Sequence, residues 1–351
     1  MPQITFEPET SRASADPVGS VTAPEPEAAF ASLVARLSRQ SVDRHSDAFA
    51  DVDWDAPEMA IDPTDPRWIL WDDDPLARTE WYGALPPERQ AEIGLHRLAV
   101  MMRTGWEFEN LLQRGLLSRA FRLPNHRPEF RYLHHEVIEE SQHTMMFQEL
   151  VDRTGLPVRG MSRPLRLAAE CLVLPLARVF PELFFLFVLG GEDPIDHVQR
   201  KRLRQGGGHP LAERIMRIHV TEEARHLSFA RHFLKTSVPK LGRVRRLILA
   251  LTAPVLLGIM ARTMLSPSAT FAADAGVPRS VVRRAARSEL ARARSQEAVG
   301  KVRRLWRELG LVTPVSSLLW RAVHLSDDDM GGSAGTPGPL APADSPAAPA
   351  T

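Results

Sequence analysis

The stretch 218–229, IHVTEEARHLSF, places two histidines and two glutamates inside an otherwise amphipathic segment. Each residue of an α-helix rotates the chain by about 100°. His219, Glu223 and His226, at positions i, i+4 and i+7, therefore lie on one narrow stripe of a predicted helix. Three potential metal ligands point in the same direction.

A second segment, YLHHEVIEESQHTMMFQEL (132–150), carries the same kind of stripe. Its Glu140 and His143 stand three residues apart on the apolar side of the predicted helix, and Glu223 and His226 repeat this E-x-x-H spacing. A single E-x-x-H is a weak signal, because Glu and His occur three residues apart on many solvated helices. Two of them on successive long helical segments are a much more specific signal for a metal site.

Two isolated glutamates complete the pattern. Helical bundles that bind two iron or manganese ions take one further carboxylate from each of two other helices. Glu109 shares a stripe with apolar side chains, and Glu192 ends the apolar face that begins at Phe184. Each precedes the glutamate of its E-x-x-H by the same interval, since 140 − 109 and 223 − 192 both equal 31.

Glu107 is an alternative to Glu109, because the spacing before the first E-x-x-H can vary. It shares its side of the helix with Arg103, Thr104 and Arg114, which predicts a solvent-facing position for Glu107.

The ligand set also suits the charge of the ions. Two divalent ions and four carboxylates carry equal and opposite formal charges, so such a site can be buried without the cost of an isolated charge. Carboxylates can bridge two ions and neutral imidazoles can complete the coordination. The expected cofactor is a pair of iron ions, with manganese as the alternative and O₂ as co-substrate.

The apolar spacing between the ends of the chain is helical almost throughout. A long helix is predicted over 85–117, where two prolines suit a first helical turn, and no hairpin signal or internal repeat occurs. The aperiodic segment 51–82 is expected to wrap the outside of the molecule. Further helices are predicted to start near Pro128, Ser162, Pro210, Arg243 and Pro278.

These patterns predict an all-α protein, a ferritin-like helical bundle with additional helices, whose domain covers 26–325. Residues 1–25 are expected to be a disordered N-terminal tail. Residues 326–351, rich in Gly, Pro and Ala, are expected to be a disordered C-terminal tail, because they cannot bury enough apolar surface to offset the entropy of ordering.

Composition restricts the function. The 351 residues carry a formal net charge of +1 and a single cysteine. The charge gives no general attraction to nucleic acid, and Cys171 alone excludes an internal disulfide framework and a Cys-ligated cluster within one chain. Cys171 is expected to be a small buried apolar residue. The absence of a recognisable secretory signal and the cysteine usage favour a reducing, cytoplasmic setting.

Two apolar stretches, 165–191 and 247–261, have enough hydrophobic residues to be considered as membrane spans. Charged residues and prolines interrupt the first, and the second is shorter than the roughly 20 residues a spanning helix requires. Both are expected to form buried helices, which makes integral membrane insertion unfavourable. Basic residues before the second stretch, from Lys240 to Arg246, leave attachment to a membrane surface open.

The candidate ligands resemble the p-aminobenzoate N-oxygenase (AurF-like) family of non-haem di-iron oxygenases in the ferritin-like superfamily. The family pattern is a Glu, E-x-x-H, a second Glu and H-x-x-x-E-x-x-H. It is matched here by Glu109, EESQH (139–143), GGEDPID (190–196) and HVTEEARH (219–226), within a resemblance that covers roughly residues 50–320. The resemblance implies activation of O₂, usually toward arylamines that become hydroxylamino and nitro products. Its implied metal ligands are Glu109, Glu140, His143, Glu192, His219, Glu223 and His226.

Other residues near the pattern receive different roles. Asp196, one turn after Glu192, is a candidate for holding an imidazole N–H, whereas His134 and His135 are expected to be structural or surface residues. The expected substrate is an arylamine-like small molecule. Because no flavin, NAD or iron–sulfur signature is present, electrons must come from a separate reductase, another external donor or the substrate. A homodimer is compatible with the sequence.

Three alternatives remain at this point. The first is a di-iron hydroxylase of another small organic molecule, and the second is an iron-storage ferritin-like protein, for which His219 is an extra ligand. In the third, a non-catalytic helical protein, the same residues form a buried polar network.

Overall fold

The computed structural model describes residues 26–326. Regular structure within this range is helical, without a β-strand, and the predicted all-α bundle is confirmed. The two predicted tails lie outside the described residues, apart from Ser326. The helices are α1 Pro26–Asp43, α2 Glu80–Gly83, α3 Pro87–Ala120, α4 Pro128–Thr154, α5 Arg163–Val179, α6 Pro181–Gln205, α7 Pro210–Ser237, α8 Arg243–Leu265, α9 Ala269–Asp274, α10 Arg279–Arg287, α11 Glu289–Ala298, α12 Gly300–Glu308 and α13 Pro314–Ala322.

The long helices α3, α4, α6 and α7 form the centre of the bundle. Helix α3 packs along α4 and α6 packs along α7. Each of the four has proline in its first turn, where the missing N–H costs nothing. The predicted helix starts near 128, 162, 210, 243 and 278 are confirmed to within one residue.

Close contact between α3 and α6 depends on glycine. A Cβ added at Gly191 of α6 would lie 2.1 Å from the ring of Phe108, and one at Gly115 of α3 would lie 2.2 Å from the ring of Phe184. No side chain fits at either position unless a buried ring moves. The two glycines therefore let α3 and α6 approach closely beside Glu109 and Glu192.

Helix α1 was not predicted. Its Phe30, Leu33, Val34 and Leu37 are buried at i, i+3, i+4 and i+7 spacing, and the helix packs on α4 and α7. The ring of Phe30 lies 5.7 Å from that of Phe229 in α7. This apolar stripe is a helical signal in the sequence itself.

The prediction of buried helices over 165–191 is correct for α6 and wrong for α5. Only Val173 and Ala177 of α5 are buried, while Leu167 and Leu172 are 62% and 63% exposed. The helical run breaks at Phe180, whose φ of −146° ends α5. The two buried residues show that α5 contacts the bundle along one narrow face. Cys171 lies on the other side and is exposed, which contradicts its predicted burial.

Helix α8 buries one side and exposes the other. Leu249, Ala253 and Leu257 are buried on the side facing α6, whereas Val244 and Leu247 are more than half exposed. The segment Arg243–Asp274 is long and apolar enough to cross a membrane by length and composition alone, and 44% of its most apolar window is buried in this fold. A core helix of a water-soluble bundle passes the same test, so the observation is weak evidence for a span.

The segment 51–82 contains only short helical turns, as expected, and crosses α3 and α7. It contributes buried tryptophans: the Trp54 indole N–H donates to the carbonyl oxygen of Ala48 at 2.7 Å. The Trp68 ring stacks on His209 with centroids 4.0 Å apart. The contact of Trp68 with His209 holds this aperiodic segment against the start of α7, the helix that carries His219.

Candidate metal centre

Four helices bring the seven predicted ligands into one buried cluster. Helix α3 contributes one glutamate, α4 a glutamate and a histidine, α6 one glutamate, and α7 the remaining three. Each is at most 2% exposed. The members are Glu109, Glu140, His143, Glu192, His219, Glu223 and His226.

The ligand atoms lie close enough together to hold metal ions. Three groups have one donor atom per residue within 4.8 Å of one another: Glu109–His143–His219, Glu140–His143–Glu223 and Glu192–His219–Glu223. Shared members join the groups into one continuous site. The Nδ1 of His226 lies 2.9 Å from Glu223 Oε1 and 2.9 Å from Glu140 Oε1, which places this imidazole against the same carboxylates.

Glu109 lies in this cluster and Glu107 does not. Glu107 accepts the backbone N–H of Met161 at 2.6 Å and lies 3.5 Å from the guanidinium groups of Arg103 and Arg166. The prediction that Glu107 faces solvent is wrong, because the loop before α5 covers it and leaves it 6% exposed. Its partners tie α3 to the start of α5.

Two carboxylates that the sequence analysis did not single out hold the imidazoles in place. The Nε2 of His143 lies 2.8 Å from Glu222 Oε2, and the Nε2 of His226 lies 2.7 Å from Glu139 Oε2. The pairing is crossed between the two motifs. In each Glu-Glu doublet the second glutamate lies in the cluster, and the first glutamate contacts the histidine of the other motif. The other ring nitrogen of each histidine, Nδ1, faces the cluster.

The outer carboxylates are themselves anchored. Glu222 accepts the backbone N–H of Ser46 at 2.7 Å, and Glu139 lies 2.8 Å from Arg225 Nη2. Burial raises the pKa of Glu139, but the hydrogen bond and charge of His226, together with Arg225, outweigh burial and lower it to about 2. Glu139 is therefore an anion at neutral pH, as a group that orients an imidazole must be. The doublets EE at 139–140 and 222–223 were the available sequence signal.

The role predicted for Asp196 is wrong. Its carboxylate accepts from Arg200 Nε at 2.6 Å and lies 3.4 Å from Lys301 Nζ, so it contacts no imidazole. Arg200 also donates to the carbonyl oxygen of Val220, and the aspartate thus ties α6 to α7 through this arginine. His134 and His135 lie on the partly exposed side of α4, outside the cluster.

The buried carboxylates of the cluster repel one another electrostatically, which affects their pKa values. Burial raises the pKa of Glu109 and of Glu192 well above the usual range, and the nearby carboxylates Glu140 and Glu223 raise it further. Glu140 is the exception, since despite burial the charge of His226 and hydrogen bonds from the imidazoles hold its pKa well below normal. Protons thus balance the charge of the metal-free cluster, and a bound cation would displace them.

The surroundings shift the pKa values of two cluster imidazoles, His143 and His219, in opposite directions. Burial lowers the pKa of His143, but hydrogen bonds to Glu140 and Glu222 outweigh it and raise the value to about 10. Burial and the charge of His143 hold the pKa of His219 well below its usual value. His219 is therefore the neutral imidazole of the metal-free site, with a free electron pair available to a metal.

Several buried atoms in the cluster that could bind a metal have no hydrogen-bond partner among residues 26–326: Glu109 Oε2, Glu223 Oε2 and His219 Nδ1. Buried polar atoms without partners are costly and rare in folded proteins. Their concentration among carboxylates and imidazoles at metal-ligand distances fits two divalent metal ions.

One more buried acid lies a helical turn before Glu140. Neither carboxylate oxygen of Glu136 has a hydrogen-bond partner, and burial raises its pKa to about 8, despite the opposing charge of His226. Tyr132 follows one turn earlier, with a buried, unpartnered hydroxyl. At neutral pH Glu136 is mostly a neutral acid beside the cluster.

A cavity of about 980 Å³ reaches the cluster at Glu109, Glu192 and His219. Near these residues its wall is mainly apolar and includes Phe108 and Phe147. It extends between α5 and α8 to α10 and α11. A small molecule therefore has a route to one side of the cluster.

Comparison with known proteins agrees with this geometry. The family model described as P-aminobenzoate N-oxygenase AurF matches residues 27–310. Uncharacterised proteins from Mycobacterium tuberculosis (strain CDC 1551 / Oshkosh) and Mycobacterium bovis (strain ATCC BAA-935 / AF2122/97) are each 41% identical over 297 residues, which is 84% of this chain and 87% of the relative. No solved structure matches the chain. The match over most of the chain, together with the carboxylate and imidazole cluster, assigns this protein to the p-aminobenzoate N-oxygenase AurF family.

Proposed function

We propose that this protein is an O₂-activating non-haem di-iron oxygenase that N-oxygenates an arylamine. The observation that carries the proposal is the buried cluster of four glutamates and three histidines, in which ligand atoms from four helices approach within 4.8 Å and several lack hydrogen-bond partners. Membership of the AurF family supports iron as the metal and oxygenation as the reaction class.

The proposed ligands are all seven residues of the cluster. Glu140 and Glu223 lie at its middle, each within 3 Å of a histidine nitrogen, and would hold the ions from the centre of the cluster. Glu109 and Glu192 would add carboxylates from α3 and α6. Four carboxylates balance two divalent cations, which permits a neutral site in an apolar interior.

When bound, two iron ions would supply the electrons and open coordination positions needed to reduce O₂. Conversion of an amine to a hydroxylamine takes one oxygen atom from O₂ and releases the other as water, with two electrons and two protons from outside. Those electrons come from a separate reductase or another external donor. A second O₂ oxidises the hydroxylamine by four electrons to the nitro product and water, without further electrons from outside.

The protein's own residues have three tasks in this scheme. Glu139 and Glu222 hold His226 and His143 in the orientation that aims Nδ1 at the cluster. Phe108 and Phe147, together with their apolar neighbours, keep the reactive side of the cavity dry. A substrate that enters along the cavity would present its nitrogen to Glu109, Glu192 and His219, which line the inner end.

A di-iron hydroxylase of another small organic molecule is the alternative within the same reaction class. Iron storage is disfavoured, because His219 adds a ligand and the cavity gives organic molecules a route to the cluster. A cytoplasmic location, and a homodimer as assembly, remain part of the proposal.

Metal analysis and a substrate screen test the proposal. The purified chain, reconstituted with Fe²⁺, should hold two irons per chain without a mineral core. With a chemical reductant, O₂ and a panel of arylamines, mass spectrometry should detect a product heavier by one oxygen atom, labelled when ¹⁸O₂ is used. Glu223→Ala is the matched inactive variant. A chain that binds no iron would overturn the function, and oxygen insertion only at carbon would favour the hydroxylase.

A further inference from the structure

The cavity that reaches the cluster ends among arginines. Five exposed arginines line it where it meets solvent: Arg262 of α8, Arg279, Arg283 and Arg287 of α10, and Arg292 of α11. The acidic residues that line the cavity are Glu109 and Glu192, which belong to the metal cluster.

Three of these arginines form a row on one helix. Arg279, Arg283 and Arg287 stand at i, i+4 and i+8 of α10, so their side chains emerge on the same side. Val281 and Ala285 are buried on the opposite side and pack in the apolar cluster around Phe271. The packing of α10 therefore fixes the row at the cavity mouth.

None of the five side chains forms an ion pair or a hydrogen bond with another residue in the described part of the chain. Like charges at i, i+4 spacing destabilise a helix. No carboxylate compensates their repulsion within 26–326, so the mouth of the cavity attracts anions.

The inner wall carries excess positive charge as well. Arg97 lines the cavity and is 3% exposed, and its Nε has no hydrogen-bond partner. It shares the single carboxylate of Asp74 with Arg294, at 3.9 Å and 3.2 Å respectively. Arg97 is the member of this group that lines the cavity, and the two guanidinium groups and one carboxylate leave a net positive charge beside it.

Most of the remaining cavity lining is apolar, with Leu165, Ile195, Val255 and Ile259 among its residues. A volume of about 980 Å³ is at the upper end of the range for small-molecule sites. A single-ring arylamine would leave most of this space empty.

We propose, on the basis of the function proposed above, that the substrate is an amphiphile with a phosphate ester at the end opposite the reacting group. The phosphate binds the arginines at the mouth, the apolar body fills the cavity, and the nitrogen reaches Glu109, Glu192 and His219. A phosphate is favoured over a carboxylate because its oxygens can accept bidentate pairs from several guanidinium groups at once.

Calorimetric titration of the full-length protein with octyl phosphate, below the concentration at which it forms micelles, tests this binding. Titrations with 1-octanol and octanoate separate the headgroup from the apolar chain. We expect octyl phosphate to bind at least about tenfold more tightly than octanol, because charge-assisted hydrogen bonds contribute more than neutral contacts. Its affinity should also fall as salt is added.

The matched variants are Arg283→Gln and Arg284→Gln. The two arginines are neighbours on α10, both exposed, but only Arg283 lines the cavity. Arg283→Gln should weaken octyl phosphate binding about tenfold without changing octanol binding, and Arg284→Gln should change both by less than about twofold. Equal losses in the two variants, or equal affinities for octyl phosphate and octanol, would overturn the proposal.

Vesicles containing phosphatidic acid distinguish the source of the phosphate. Arg283-dependent binding of monomeric octyl phosphate supports a cavity ligand, whereas binding to vesicles alone overturns it in favour of a surface contact. Iron content and O₂ consumption are measured on the same preparations. If iron binds and octyl phosphate does not, only this inference fails. If octyl phosphate binds through Arg283 and iron does not, the oxygenase function fails, and the phosphate site remains without its role in substrate binding.

Discussion

His219 and Glu223 differ in charge, and their removal should differ in consequence. His219→Ala removes a neutral donor while six candidate ligands remain, so most of the iron should stay bound and oxygenated product should fall at least about tenfold. Glu223→Ala leaves positive charge uncompensated in a buried site and should abolish stoichiometric iron binding. Iron content by mass spectrometry and product yield per iron measure both effects.

Full product yield in His219→Ala would contradict this prediction. His219 would then be an ordinary core histidine, and the proposed ligand set would lose the member that extends E-x-x-H to H-x-x-x-E-x-x-H. Glu289→Gln, at an exposed position on α11, controls for preparation and handling.

Glu222 should act on the metal through His143. Its carboxylate accepts from the His143 Nε2 at 2.8 Å, so Glu222→Gln keeps the shape but removes the charge that orients and strengthens the imidazole. Iron affinity should drop about 10- to 100-fold, measured by competition with a chelator. An affinity within twofold of the wild type would show that the crossed pairs do not support the ligands.

The raised pKa of Glu136 predicts how the stability of the metal-free chain changes with pH. Burial raises its pKa from 4.5 to about 8 in the folded chain. The folded state therefore keeps this proton to a higher pH than the unfolded state, so stability is lost as pH rises through the window from 4.5 to 8. Glu136→Gln should flatten the decline of metal-free unfolding free energy across this window, relative to the wild type.

Chemical denaturation at several pH values, with chelator present, measures this difference. Glu109, Glu192 and Glu223 contribute to the same trend in both proteins, so only the difference between the curves reports on Glu136. Parallel curves would mean that Glu136 titrates normally.

At the scale of helices, the α3–α6 contact positions two candidate ligands. Gly191 precedes Glu192, and its missing Cβ leaves room for the Phe108 ring, next to Glu109. Gly191→Ala should therefore displace one helix or the ring, reduce the unfolding free energy by about 1–3 kcal/mol, and weaken iron binding.

Gly300→Ala is the control for this substitution, because nothing lies within 4 Å of its added Cβ at the start of α12. Thermal unfolding and iron titration of both variants provide the measurement. Equal stability of the two variants would show that the α3–α6 contact tolerates a methyl group.

For the whole molecule, the prediction concerns solubility. Helix α8 buries Leu249, Ala253 and Leu257 against the bundle, and withdrawal into a bilayer would uncover apolar surface on α6. We therefore expect recovery of the full chain from the aqueous fraction without detergent. Helices α5 and α8 expose apolar side chains that could bind a membrane. Recovery of the chain only with detergent would contradict the prediction.

Much of this architecture follows from local patterns. Apolar spacing and prolines located the long helices, because helical periodicity and first-turn preferences are properties of short segments. The two E-x-x-H motifs and the equal intervals to Glu109 and Glu192 likewise identified side chains that share a face. The four helices that carry these side chains pack through their apolar faces. This packing brings all seven side chains together, and no single segment determines it.

Only the tertiary structure decided the rest. Glu107 is buried because a loop 54 positions away covers it, and α5 is exposed because no described segment packs over its outer side. The partner of each cluster imidazole comes from the other motif, 79 or 87 positions away, so helix spacing could not assign it and Asp196 was chosen wrongly. The sequence by itself determined the helices and the chemical identity of the candidate site, since both depend on local periodicity. Burial, partners and the arginine-lined cavity depend on which distant segments meet, and only the folded chain determines that.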